Sequence, residues 1–165
     1  MANTCRTDVK IQGSKEAISY FKEKYESCHD GKYPNEEEIP HIVDVFGADA
    51  ELFIDKVGSK WITQYEIFWD DETSYEFGLE SANYPPSDML KEIHHQLVAI
   101  DPDITFTARY WDEAYDPIGV IKITDAGQYL ELETVIDEDE DDYEYFWDDI
   151  IEPEFERLEK KLNIA

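Results

Sequence analysis

The side chains with the most chemical potential in this chain are carboxylates. Residues 137–149 read DEDEDDYEYFWDD, with nine carboxylates among thirteen positions and four aromatics set between them. Carboxylates accept hydrogen bonds and attract cations. On an ordered surface they engage a basic protein patch, with aromatic neighbours as desolvated anchors. The candidate contact residues are Asp137, Glu138, Asp139, Glu140, Asp141, Asp142, Glu144, Asp148 and Asp149, with Tyr145 and Trp147 as anchors. Held at suitable spacing, such a run imitates the phosphates of DNA. The plainer reading of the same residues is a solvated tail whose aromatics pack on a sheet. Calcium also prefers oxygen ligands, but the EF-hand register with its central glycine and terminal glutamate is missing. Weak, non-specific divalent binding is expected, and no functional metal site.

Other reactive residue types do not assemble into a catalytic set. Asp112 and Glu113 stand close to Arg109 in sequence and could exchange protons. With 41 acidic residues in the chain, coincidence accounts for such a pair. His94 and His95 diverge by about 100° around a helix axis, so both cannot face one ion. Cys28-His29 has no matching pair at zinc spacing. Cys5 and Cys28 are expected as small buried apolar side chains rather than a redox pair. No nucleophile elbow, P-loop or dinucleotide-binding glycine pattern occurs. The expectation is a protein that is not an enzyme and carries no cofactor.

Charge narrows the partner. The 41 acids against 14 lysines and arginines leave a net charge of −27 over 165 residues. Direct binding to nucleic acid needs clustered cations and is excluded, as is an anionic membrane surface. A partner with a basic surface is favoured, steered by a field that salt weakens. No apolar run approaches the length of a membrane span, and the amino-terminal residues alternate rather than forming an apolar leader. These features lead us to expect a cytoplasmic protein with reduced thiols. Oligomeric state is open on this reading.

Positioning these residues requires a scaffold, and the large aromatics (14% of the chain) can build its core. Residues 4–12 alternate as a first strand with Cys5, Val9 and Ile11 inward. Ser14 caps a helix over 15–26 in which Ala17, Ile18, Phe21 and Tyr25 share a face. His29 to Pro40 reads as a loop, and Asp49 to Val57 as a short helix ended by Gly58. Strand two, Lys60 to Trp69, places Trp61, Thr63, Tyr65, Ile67 and Trp69 on one side. Asp70-Asp71-Glu72 turns into strand three, Ser74 to Glu80. Pro85-Pro86-Ser87 opens a helix over Asp88–Ile100 with Met89, Ile93, Leu97 and Ile100 inward. Strand four covers Ile104 to Trp111. A hairpin of Ile118–Thr124 and Gln128–Val135 extends the sheet. Tyr84, Trp111 and Tyr115 are expected to cluster with Trp61 near the sheet end. A terminal helix is expected from about Tyr143 to Leu162, with Pro153 as a break or kink.

The order strand, helix, strand, strand, helix, strand is that of a split βαβ. The expected fold is therefore α+β: a ferredoxin-like split βαβ sandwich with an added C-terminal hairpin and an acidic C-terminal helix. Residues 1–135 would form the ferredoxin-like domain, and 136–165 the acidic arm and helix packed on it.

Four short blocks, in order, carry a family resemblance. The opening MANTCRTDVKIQG resembles M-x-N-x-C-x-N-x-L-x-I-x-G, and Gly58-Ser59-Lys60-Trp61 resembles W-G-T-K-W. Tyr84-Pro85-Pro86 stands for W-x-P-P, and Arg109-Tyr110-Trp111-Asp112-Glu113 with Ile118-Gly119-Val120 for R-Y-Y-E…G-V/Y. These are motifs of the Api92-like, or YubB ferredoxin-like, domain family. The chain departs from them at Val57, where a Trp is usual, and in its acidic arm. The resemblance implies the ferredoxin-like fold and a phage or plasmid setting. It brings no established activity and no catalytic residues. The resulting expectation is a phage- or plasmid-borne acidic inhibitor. It would bind a host nucleic-acid-handling or defence protein through its negative face, with DNA mimicry as one form of that binding. The alternative is a ferredoxin-like module that binds a small molecule or peptide on an aromatic sheet surface.

Overall fold

The protein is described by a computed structural model covering residues 3–28, 45, 62–124 and 126–164. The loop expected at His29–Pro40, the helix at Asp49–Val57, Gly58 and Trp61 lie outside the described residues. One six-stranded antiparallel sheet runs in the order β2-β3-β1-β4-β5-β6. Its strands are β1 (Thr4–Gln12), β2 (Thr63–Asp70), β3 (Ser74–Ala82), β4 (Thr105–Asp112), β5 (Ile118–Ile123) and β6 (Tyr129–Thr134). Helix α1 (Lys15–Glu26) comes after β1 and α2 (Ser87–Val98) after β3. The first four strands and two helices make the ferredoxin-like split βαβ, and the β5–β6 hairpin extends it beyond β4.

Strand alternation sends Cys5, Thr7, Val9 and Ile11 of β1, Tyr75, Phe77 and Leu79 of β3, and Phe106 and Tyr110 of β4 toward the helices. They meet Ala17, Ile18, Phe21 and Tyr25 of α1 and Met89, Leu90, Ile93 and Leu97 of α2 in the larger core. Aromatic contacts run through it, stacked as in Phe21 on Phe77 at 5.2 Å between ring centres or edge-on as in Phe21 on Tyr75. Ser14 caps α1 by accepting from the Ala17 N–H at 3.2 Å. Its own N–H donates to Asp101 Oδ2 at 2.6 Å, tying the start of α1 to the end of α2. Helix α2 ends at Val98, two residues earlier than its periodicity suggests, because the chain turns at Ala99. Ile100 is consequently exposed instead of inward.

Strand β2 corrects the expected alternation. Two bulges interrupt its pairing with β3, between Gln64 and Glu66 and between Ile67 and Trp69. Each bulge adds a residue and reverses the facing of the strand beyond it. Gln64, Ile67 and Asp70 pair opposite the inward residues of β3, whereas Thr63, Glu66 and Trp69 pair opposite Glu80, Gly78 and Glu76. The row Thr63, Tyr65, Ile67, Trp69 does not share one face. At the hairpin, Asp71 Oδ1 accepts from the N–H groups of Thr73 and Ser74, both at 2.8 Å, and Oδ2 from the Trp69 indole at 2.7 Å. The Thr73 N–H first, then the indole, hold this carboxyl below its ordinary range.

A second, smaller core lies on the opposite face of the sheet. Helix α3 (Glu152–Lys161) crosses β4 and β5 there, and Ile151, Phe155 and Leu158 pack against Ile118 and Val120. One continuous helix from Tyr143 does not form. A 3-10 turn at Glu140–Asp142 and then a π-helical turn at Trp147–Ile151 precede α3. Pro153 has no N–H to donate to the carbonyl four residues earlier, and its ring would clash there. Winding the preceding turn wider, with the Glu152 N–H on the Trp147 carbonyl, avoids that clash. At its other end α3 closes in a Schellman motif: Ile164 N–H donates to the Glu159 carbonyl at 2.9 Å and Asn163, at φ 54°, donates to Lys160. Lys122 Nζ adds bonds to the Leu162 and Asn163 carbonyls, both 3.1 Å.

One close approach is a sharp test of this packing. Tyr110 stands directly across from Gly119, and a Cβ at Gly119 would collide with the phenol ring. The phenol fills the space a side chain would need, and its OH reaches Glu131 at 2.5 Å and Glu133 at 3.0 Å. Gly119→Ala is expected to destabilise the fold by about 1–3 kcal/mol through overpacking. Denaturant unfolding measures this, and an unchanged midpoint would mean that Tyr110 moves aside freely.

Candidate functional site

Two surfaces on the side of the sheet opposite α1 and α2 carry the chemistry. The first is the acidic arm. Asp137, Glu138, Asp139, Glu140, Asp141, Asp142, Glu144, Asp148 and Asp149 are all exposed. The arm is held by local bonds and by packing. Asp139 caps the 3-10 turn, its Oδ1 accepting from the Asp141 N–H at 3.0 Å. Because a 3-10 helix has three residues per turn, Glu140, Asp141 and Asp142 fan outward in different directions rather than forming a row. Phe146 is buried against Tyr115 (5.5 Å) and Tyr143 (5.7 Å), and pins the arm to the sheet.

The two anchors differ. Tyr145 is 61% exposed, while Trp147, 36% exposed, sets its ring edge-on against Trp111 at 5.0 Å. Trp147 therefore helps to dock the arm as well as presenting apolar surface. Asp148 and Asp149 precede α3, where the positive end of the helix dipole favours them; that is their structural role. The expected cluster forms in part: Trp111 and Tyr115 meet Trp147 and Phe155, but Tyr84 stands in solvent at 62% exposure.

Among the described residues, no cation neutralises the arm's charges. From Ile123 to Glu156 the chain contains no lysine or arginine. Among the described residues no ion pair involves a carboxylate of 137–149, whereas the cations elsewhere are mostly committed. Lys15 pairs with Glu72, Lys22 with Asp70 and Arg157 with Glu154. Arg109 grips α3 with a fork on Glu159 (2.7 and 2.9 Å) and a second contact on Glu152 (2.8 Å). Bidentate geometry makes this a firm clamp between β4 and the helix that carries the arm.

The second surface is the open sheet face beside α3, which local alternation did not reveal. Arg6, Asp8 and Lys10 of β1 point there, as do Thr107, Arg109 and Trp111 of β4. Because β2 is bulged, Tyr65 and Phe68 also reach this face. The Arg6 guanidinium lies 4.0 Å from the Tyr65 ring centre, 5.6 Å from Phe68 and 5.4 Å from Trp111. A cleft of about 330 Å³ opens beside them, lined in part by Asp8, Lys10, Phe68, Glu76, Thr107 and Glu159. Phe68 stands close to Gly78, where a Cβ would approach its ring to 3.3 Å. Asp8 donates nothing and accepts only from Arg6 Nε, at 3.1 Å to Oδ1; among the described residues Oδ2 has no hydrogen bond. Burial pushes its carboxyl above the ordinary range despite Arg6 and Arg109, and Glu66 adds to the rise.

The remaining reactive residues have structural duties. Asp112 is buried and accepts from the N–H groups of Ala114 (2.9 Å) and Asp116 (2.8 Å), while Glu113 accepts from the Thr4 N–H at 2.9 Å. Neither faces Arg109 across a pocket. His94 is buried, edge-on to Phe106, with Nε2 3.2 Å from the Ile104 carbonyl; since a carbonyl only accepts, that nitrogen carries the proton. His95 points elsewhere on α2 and is exposed. Burial pushes the Cys5 thiol up to about 12, and Cys28 Sγ donates to the Tyr25 carbonyl at 3.1 Å. Both cysteines are buried thiols. No group of three metal-ligating side chains forms among the described residues, and no helix there is long and apolar enough to cross a membrane.

Comparisons of the chain with protein-family models, curated proteins and solved structures found no match.

Proposed function

We propose that the protein acts without catalysis, as an acidic ligand for a nucleic-acid-handling or defence protein of a host cell, which it inhibits by occupying a basic groove. One observation carries this reading. The carboxylates of 137–149 are exposed and, among the described residues, unpaired with cations, on an arm fastened to the sheet by Phe146, Ile151 and Phe155. Ordered charge loses little entropy on docking, and uncompensated charge steers association. The fanned carboxylates suit a concave basic surface, which surrounds its ligand; DNA mimicry is the form of this reading in which the groove normally holds phosphates. The resemblance to Api92-like sequences supplies the phage or plasmid setting.

The test is affinity capture from host lysate at about 50 mM and about 500 mM salt, spanning strong to weak charge screening. A nucleic-acid-binding protein should be retained at the lower concentration, lost at the higher one and displaced by added DNA. Capture that ignores salt and DNA would reject the proposal. Such an outcome would favour the second reading, a small-molecule or peptide module, which rests on the aromatic cleft beside Phe68.

A further inference from the structure

The geometry points to the cleft on the open sheet face as a receptor for one arginine side chain of the basic partner, held between the Phe68 ring and the carboxylate of Asp8. This rests on the reading of the protein as a ligand for a basic surface, and adds a specificity pocket to the arm's non-specific attraction.

Charge argues for a cation. Of the charges in the cleft's lining, Lys10 is paired with Glu76 and Arg109 with Glu159, which leaves the second oxygen of Asp8 as the acceptor open to a ligand. Lys10 is engaged by Glu76 at 3.5 Å, and Arg109 is turned onto α3 by Glu152 and Glu159. Among the described residues Asp8, in the cleft's lining, keeps one oxygen without a hydrogen bond, and its side chain is partly desolvated at 34% exposure. A carboxylate in that condition gains most from a cation that donates hydrogen bonds.

The aromatic wall argues for arginine above lysine. A planar guanidinium stacks on a ring face and forks onto a carboxylate at the same time; an ammonium offers only a point charge. The fold already contains one such arrangement alongside: Arg6 lies over Tyr65 while its Nε donates to Asp8 Oδ1. An incoming guanidinium would repeat it on Phe68 and Asp8 Oδ2. The position also fits, because Trp111 contacts both Arg6 beside the cleft and Trp147 on the arm. A partner docked on the arm can therefore reach the cleft along a track of aromatic rings in which Trp111 is half-buried.

The experiment titrates the isotope-labelled full chain with N-acetyl-arginine amide and monitors backbone amide shifts. Saturable shifts are expected at Asp8, Phe68 and Thr107, with N-acetyl-lysine amide binding at least several-fold more weakly. Asp8→Asn and, separately, Phe68→Ala should each weaken the arginine response about tenfold, while their unperturbed spectra elsewhere establish that the fold is kept. Replacing the acids of 137–142 should leave this response unchanged, which separates the cleft from the arm. Non-saturating shifts scattered over the carboxylates, or an unchanged response in Asp8→Asn, would overturn the proposal. Loss of partner capture in the arm variant, with the arginine response intact, would leave the cleft standing and test only the arm.

Discussion

Phe155→Ala should release the C-terminal helix while leaving the main core folded. Phe155 is fully buried at the centre of the smaller core, between Ile118 and Val120 on the sheet, Trp111 and Trp147 at its edges and the Arg109 guanidinium 5.1 Å from its ring centre. Truncating a buried phenylalanine costs about 3–5 kcal/mol, the lost transfer energy plus the cavity left behind. The other groups that hold α3 are Ile151 and Leu158 beside it, the partly buried Leu162 and Ile164 at its end, the Arg109 clamp and the Lys122 cap. The clamp is partly solvated and cannot offset a loss of that size. The larger core lies on the other face of the sheet and shares none of its buried residues with this one. Hydrogen exchange should therefore show lost protection over the amides of α3, with protection retained in β1, β3 and α1. Unaltered protection in α3 would mean that the clamp and cap suffice without the ring. In the variant the arm would dangle, so partner affinity should fall although no carboxylate has been changed.

The second large effect is functional. Changing Asp137, Glu138, Asp139, Glu140, Asp141 and Asp142 to their amides should lower the association rate with the captured partner about 100-fold or more at low salt, the range that electrostatic steering supplies. Stability should be unchanged or slightly higher. None of these carboxylates is in an ion pair among the described residues, Asn at 139 keeps an oxygen for the 3-10 cap, and like-charge repulsion falls. Stopped-flow association at two ionic strengths and thermal unfolding read the two halves separately. An association rate equal to that of the parent protein would remove the arm from the interface. The Phe155→Ala and amide variants thus separate the two things the arm needs: its charge and its fixed position.

Much of the scaffold is legible in the residues alone. β1 occupies the residues its alternation indicates, with Cys5, Val9 and Ile11 inward, and α1 buries the four apolar positions its spacing marks. These elements are half-buried with a single period, so sequence and solvent exposure report the same thing. The acidic run is equally plain, because charge density is a property of composition. Facing and the handover between elements are not legible in this way. The two bulges in β2 depend on its register against β3, and each reverses which aromatic meets the open face. Nothing in QYEIFW announces them. Asp8, flanked by Arg6 and Lys10, looks like any polar alternate position of an outward strand face; only the neighbouring strands place it under Phe68 and opposite Gly78.

The amino-acid sequence by itself determined the sheet-and-helix order, the core faces of β1 and α1, and a net charge of −27. Tertiary structure decided where that charge stands and what it can reach. Pro153 barred a plain α-helix, the chain took a π-helical turn, and the wider turn set Trp147 against Trp111 with the carboxylates outward. The reason is physical: periodicity encodes burial one residue at a time, whereas a site depends on contacts between strands and helices far apart in the chain, which no local pattern contains.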